Sequence, residues 1–168
     1  VVVGDGNLNV CRRKMGGYHY RVNIVGHKED LEYLTTLLND LFNYKPRVLR
    51  DKRKANCYLI NIYSAAIFFY FVKLGFSVGK KRDVSVPPRI AQNSTLFKHY
   101  MLGLIDTDGS VSKNRIILKQ REENFLKELV QLLEKHLDIK SNPPKVNYTE
   151  GKPFYYIRFP IGNLYSDF

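Results

Sequence analysis

The sequence predicts an α+β protein built as a tandem pseudo-twofold repeat, with one αββαββα order of elements occurring twice and antiparallel sheets backed by helices. Three observations predict it. Hydrophobic spacing passes between strand alternation and helical periodicity in the same order in each half. A Gly-, Lys-, Arg- and Pro-rich stretch separates the halves. Each half also opens with an apolar segment running into Asp-Gly, as Asp5-Gly6 and Asp108-Gly109.

The elements follow from local patterning. After Val1-Val2-Val3, Leu8 and Val10 alternate with Asn9 and Cys11. Gly16-Gly17 marks a tight turn, and Tyr18, Tyr20, Val22 and Ile24 alternate again, which predicts a hairpin. Leu31, Leu34, Leu37, Leu38 and Leu41 recur at helical spacing, predicting a helix from about Glu29 to Phe42. Lys45 to Arg53 and Asn56 to Tyr63 read as a second hairpin, and Ala65 to Leu74 as an apolar helix closed by Gly75. The aromatic run Phe68-Phe69-Tyr70-Phe71 inside that helix reads as core packing.

From Gly75 to Asn93 the pattern lapses, and Pro87-Pro88 argues against regular helix. This places a linker over about 79–94, between repeats at 1–78 and 95–168. Beyond it, Leu96 to Ile105 predicts an apolar helix ending in Asp106-Thr107-Asp108-Gly109. Val111 to Gln120 predicts a hairpin, and Phe125, Leu126, Leu129, Val130, Leu133 and Leu137 an amphipathic helix. Lys145 to Tyr148 and Phe154 to Phe159 form a last strand pair, with a further helix expected within Ile161 to Phe168.

Composition narrows the function. With 27 Lys and Arg against 16 Asp and Glu, the 168-residue chain carries a formal charge of +11, which favours a polyanionic partner. The basic residues lie mostly in strand-like segments, which argues against a membrane-surface helix, and no apolar run is long enough to span a bilayer. Cys11 and Cys57 have no metal-spaced neighbours, so a zinc site or disulfide framework is not expected and an intracellular setting fits. No grouping of Ser, His and Asp suggests nucleophilic catalysis.

The Asp-Gly pairs carry the chemistry. Gly past a helix end is ordinary, because positive φ costs it no Cβ clash. A carboxylate in the last turn is not, since the partial negative charge there disfavours it by a few tenths to about 1 kcal/mol. If the halves pack about a pseudo-twofold axis through these helices, two carboxylates meet in a negative place that a cation would relieve. Oxygen ligands favour Mg²⁺, which suits phosphodiester hydrolysis.

Met101-Leu102-Gly103-Leu104-Ile105-Asp106-Thr107-Asp108-Gly109 resembles the LAGLIDADG motif of homing endonucleases, departing at its first two positions and its seventh. The first copy retains only Val1-Val2-Val3-Gly4-Asp5-Gly6, with Val3 at the first acidic position; the upstream sequence is expected to supply the rest of that helix. Val86-Pro87-Pro88-Arg89-Ile90 is similar to the segment joining the repeats in intron and intein members.

The resemblance implies two saddle-shaped sheets in the DNA major groove, a monomer acting on double-stranded DNA, and a cytoplasmic or organellar enzyme such as archaeal introns or inteins encode. It implies Mg²⁺ as cofactor, with Mn²⁺ substituting and Ca²⁺ binding without cleavage. The metal-binding acids map to Asp5 and Asp108, with Gly4 and Thr107 as flanking candidate ligands. Asp106 is roughly 200° around the helix from Asp108 and reads as structural. Members often carry Lys or Gln at the end of each first hairpin, which makes Lys28, Lys119 and Gln120 candidate catalytic residues.

Alternation also nominates a DNA-facing surface. In the first half it comprises His19, Arg21 and Asn23, extended by Arg12, Arg13, Lys14, Arg47, Arg50 and Lys52. In the second it comprises Lys113, Arg115, Lys119, Lys145, Asn147, Tyr156 and Arg158. Lys80 and Lys81 are candidates for phosphate contact. Competing readings keep the scaffold without cleavage, as an RNA maturase or a transcription regulator, or make the chain the endonuclease portion of an intein.

Overall fold

The computed structural model describes residues 6–51, 56–79 and 84–165. They fall in two compact units, 1–81 and 82–168. In the first, strands β1 (Gly6–Arg12) and β2 (Tyr18–Gly26) precede helix α1 (Lys28–Phe42). Strands β3 (Val48–Arg50) and β4 (Tyr58–Ile62) then precede α2 (Ala65–Lys73). In the second, the short helix α3 (Pro88–Ala91) leads into α4 (Ser94–Asp108). Then come β5 (Gly109–Ser112), β6 (Arg115–Gln120), α5 (Glu123–Leu137), β7 (Lys145–Thr149), β8 (Lys152–Pro160) and a 3₁₀ turn, Gly162–Tyr165.

Each unit has one four-stranded antiparallel sheet, ordered β1-β2-β4-β3 and β5-β6-β8-β7. The pairings are equivalent: Gly6 faces Ile24, which faces Ile60, and Gly109 faces Leu118, which faces Ile157. This register fixes which positions correspond between the units. Leu8, Val22, Ile24, Ile60 and Ile62 turn to the helix side and are buried with Leu31, Leu38, Ile67 and Phe68. In the second unit Ile116, Leu118, Ile157 and Phe159 do the same against Phe97, Met101, Leu104, Phe125 and Leu129.

Local signals set the helix ends. The Ser64 and Asn93 side chains accept from the Ile67 and Leu96 amides at 3.3 and 2.9 Å. Asn43 and Asp138 close α1 and α5 with left-handed backbone at φ 48° and 52°.

Several expectations change. Pro87-Pro88 does not exclude a helix: Pro88 opens α3 at its first position, where the missing N–H costs no bond. Val86 and Ile90 are buried, and His136 on α5 bonds the Ala91 carbonyl at 2.8 Å, so this stretch packs into the second unit. Phe68 is buried but Phe69 and Tyr70 are each 49% exposed, so only part of the aromatic run is core. Tyr18 is exposed because it lies at the hairpin end, beyond the helices. The last helix is a 3₁₀ turn as far as 165.

Gly109 is needed for space, not for positive φ. Its backbone is extended (φ −94°, ψ 164°), but a Cβ would stand 2.6 Å from the Ile105 carbonyl oxygen, itself backbone. Gly109→Ala is therefore expected to cost about 1–3 kcal/mol of stability, read from urea unfolding midpoints. An unchanged midpoint would mean that the helix-to-strand junction relaxes freely.

Candidate active site

Helix α4 buries Phe97, Met101, Leu104 and Ile105, which lie on one face at steps of three and four residues. Asp108 continues that stripe past its apolar end, whereas Asp106 points away and is exposed. Strand β6 buries Ile116 and Leu118 on the helix side, and Gln120 is the next residue of that row. The two rows converge. The Gln120 amide Nε2 donates to Asp108 Oδ2 at 2.7 Å.

Asp108 thus sits half-exposed in the last turn, where helix polarity disfavours negative charge, with a neutral amide as hydrogen-bond partner. No cation lies within salt-bridge distance of it among the described residues. The Thr107 hydroxyl is occupied, donating back to the Gly103 and Leu104 carbonyls at 3.3 and 3.2 Å.

A cleft of about 490 Å³ opens here, lined by Asp108, Lys119, Gln120, Arg121, Glu150, Lys152 and Phe154 among others. Lys119 projects from the opposite face of β6 to Gln120, its Nζ 5.8 Å from the centre of the Phe154 ring. Nearby on α4, burial drives the Tyr100 hydroxyl pKa far upward, reinforced by the Glu128 and Asp108 charges, so it stays neutral at ordinary pH. That hydroxyl has no hydrogen-bond partner among the described residues.

The first unit is not equivalent. By register, Gly26 stands where Gln120 stands, and Val25 where Lys119 stands. Lys28 is instead the first residue of α1, exposed and paired with Glu32 at 3.6 Å across one helical turn. Lys28, nominated at the end of the first hairpin, lies two residues past β2, because chain distance from the turn does not reveal where pairing stops. Gly4 and Asp5 lie outside the described residues.

The open faces of the sheets carry most of the nominated DNA-facing residues. His19, Arg21 and Asn23 are on that of the first sheet, Arg115, Lys119, Lys145, Asn147, Tyr156 and Arg158 on that of the second. Arg13 and Lys14 are exposed in the β1–β2 turn, and Lys113 in the β5–β6 turn at φ 51°. Arg47 is exposed just before β3. Arg12 and Arg50 differ, sharing the core-side alternation opposite Tyr18 and Tyr58 and escaping burial at the strand ends. Lys52, Lys80 and Lys81 lie outside the described residues. Alternation missed Asn7, Asn9 and Asn61, which share the open face of the first sheet.

Residues 98–163 match the family of the LAGLIDADG-like domain. Within the second unit, this stretch is similar to the LAGLIDADG-like domain. No curated protein matches the chain. Among solved structures, mesophilic variants of the homing endonuclease I-DmoI align with TM-score 0.69 and 19% identity, over 98% of this chain and 87% of theirs. I-DmoI in complex with DNA and Ca aligns at 0.69 and 19%, over 98% and 81%. The homing endonuclease I-WcaI bound to its DNA recognition sequence aligns at 0.53 and 12%, over 90% and 70%. The chain therefore has the homing endonuclease fold, and the stretch similar to the LAGLIDADG-like domain carries Asp108 at the end of α4.

No described helix is long and apolar enough to cross a membrane. Both cysteines are free thiols.

Proposed function

We propose that the chain is a homing endonuclease, hydrolysing both strands of a long asymmetric DNA site with a divalent metal, as a monomer encoded by an intron or intein. The observation that carries this is the Asp108–Gln120 contact, placing an unneutralised carboxylate at a helix end beside a cationic sheet face. The open sheet faces supply the DNA-binding surface, and structures of I-DmoI with DNA and Ca or Mn lend the partner and the ion class.

The donor set fits a hard cation. Asp108 has one oxygen engaged by Gln120 and the other without a hydrogen bond among the described residues, and nearby carbonyls are oxygen donors too. By the resemblance, Asp108 with the Thr107 carbonyl would hold Mg²⁺ in the second repeat, and Asp5 and Gly4 are the residues that correspond to them in the first. Mg²⁺ would supply Lewis acidity, favouring ionisation of the attacking water and stabilising the leaving oxygen. Gln120 orients the Asp108 carboxylate, and Lys119 offers positive charge to the phosphodiester from the cleft wall.

Mg²⁺-dependent cleavage selection on a randomised duplex library tests the function. Recovery of one long site, cut on both strands, supports it. Binding without cutting in Mg²⁺ or Mn²⁺ would reassign the chain to a maturase or regulator.

A DNA surface of this kind requires strong salt dependence. If six to ten phosphates are neutralised, affinity should fall roughly 10³- to 10⁵-fold between about 50 and 200 mM salt. A flat titration by fluorescence anisotropy would remove the open faces as the binding surface.

A further inference from the structure

The open faces are built on one register but carry different chemistry. In the first sheet, Asn7, Asn23 and Asn61 face one another across β1, β2 and β4, making one row of amides. Neighbouring strands are about 4.8 Å apart, so the row spans roughly 10 Å, on the scale of a few base-pair steps. Asn9 lies two residues from Asn7 on the same face. The amides are paired in a definite sense: Asn23 Nδ2 donates to Asn61 Oδ1 at 3.0 Å, and Asn9 Nδ2 donates to Asn7 Oδ1 at 2.7 Å.

Each pair leaves one carbonyl, on Asn23 or Asn9, and one amide nitrogen, on Asn61 or Asn7, without a partner among the described residues. A free donor beside a free acceptor complements the adenine edge, whose N7 accepts and N6 donates.

The same positions of the second sheet read Ser110, Ile117 and Arg158. Arg158 lies over the Tyr156 ring, its guanidinium carbon 5.0 Å from the ring centre. Stacking restrains the guanidinium, reducing the rotamer freedom lost on binding, and its donor fork matches guanine O6 and N7. Arg158 also lines a cleft of about 580 Å³ with Arg115 and Lys145 and with no acidic residue. Arg21 and Arg115, by contrast, occupy equivalent positions and do not distinguish the sheets.

We infer that the sheets demand different bases at equivalent positions: adenine where the Asn7–Asn23–Asn61 row reads, guanine where Arg158 reads. This rests on the DNA-endonuclease reading and specifies which residues of each sheet would set one base of its substrate.

The test uses the whole chain and a randomised duplex pool, retained in Ca²⁺ to hold cleavage off, then sequenced. The inference expects an adenine preference that falls roughly ten-fold in Asn23→Ala and Asn61→Ala while the rest of the site is unchanged. It expects a separate guanine preference that Arg158→Ala removes. Asn61→Arg, which needs no loss of fold to read out, should convert adenine to guanine at the same base. A retained site whose preferences none of these variants alters overturns the inference and leaves DNA binding standing. A parent chain that retains no duplex above non-specific background overturns the endonuclease reading together with it.

Discussion

Asp108→Asn is expected to abolish cleavage, lowering the rate by about a thousand-fold or more, while the variant still binds its DNA site. The amide keeps the shape of the carboxylate and can still meet Gln120 Nε2 through its own carbonyl, so the helix end and the contact at 2.7 Å survive. The negative charge that would hold a divalent cation does not. Metal activation is worth several kcal/mol of transition-state stabilisation, and each 1.36 kcal/mol is about ten-fold in rate. The proposed binding surface is the open sheet faces, away from Asp108, so binding should change little. Parallel nicking assays and Ca²⁺ binding titrations separate the two effects, and cleavage at the parent rate would refute the metal role. Asp5→Asn is expected to behave alike, since Asp5 precedes Gly6 as Asp108 precedes Gly109.

Gln120→Ala is expected to slow cutting of one strand by about 10- to 100-fold, the usual cost of losing a group that orients a metal ligand. The first unit has Gly26 at the equivalent position, so it has no matching amide to lose. The variant should therefore accumulate nicked plasmid from a supercoiled substrate, and should need more Mg²⁺ for half its maximal rate. If both strands slow together with unchanged Mg²⁺ dependence, Gln120 supports the fold and does not position Asp108.

Much of this was legible in the sequence because the signals are local. The side-chain period of a strand is two and that of a helix 3.6, so Val22 and Ile24, or Leu129 and Leu133, announce their faces without reference to distant residues. The same locality explains the failures. Pro88 at the start of α3 and Gly109 in extended backbone depend on where neighbouring carbonyls lie. Lys28 and Gln120 are both nominated near the end of a first hairpin, yet Gln120 is the last residue of β6 whereas β2 stops at Gly26 and Lys28 belongs to the next helix.

By itself the sequence determined the duplication, the order of elements, the excess of positive charge and the acidic residue closing the motif helix at Asp108. Only tertiary structure decided that Gln120, and not Lys119, meets that carboxylate, and that asparagines from three strands form one row. The physical reason is register. Pairing between strands is fixed by backbone hydrogen bonds and core burial among residues far apart in the chain, and a shift of one residue would exchange the open face for the face that packs.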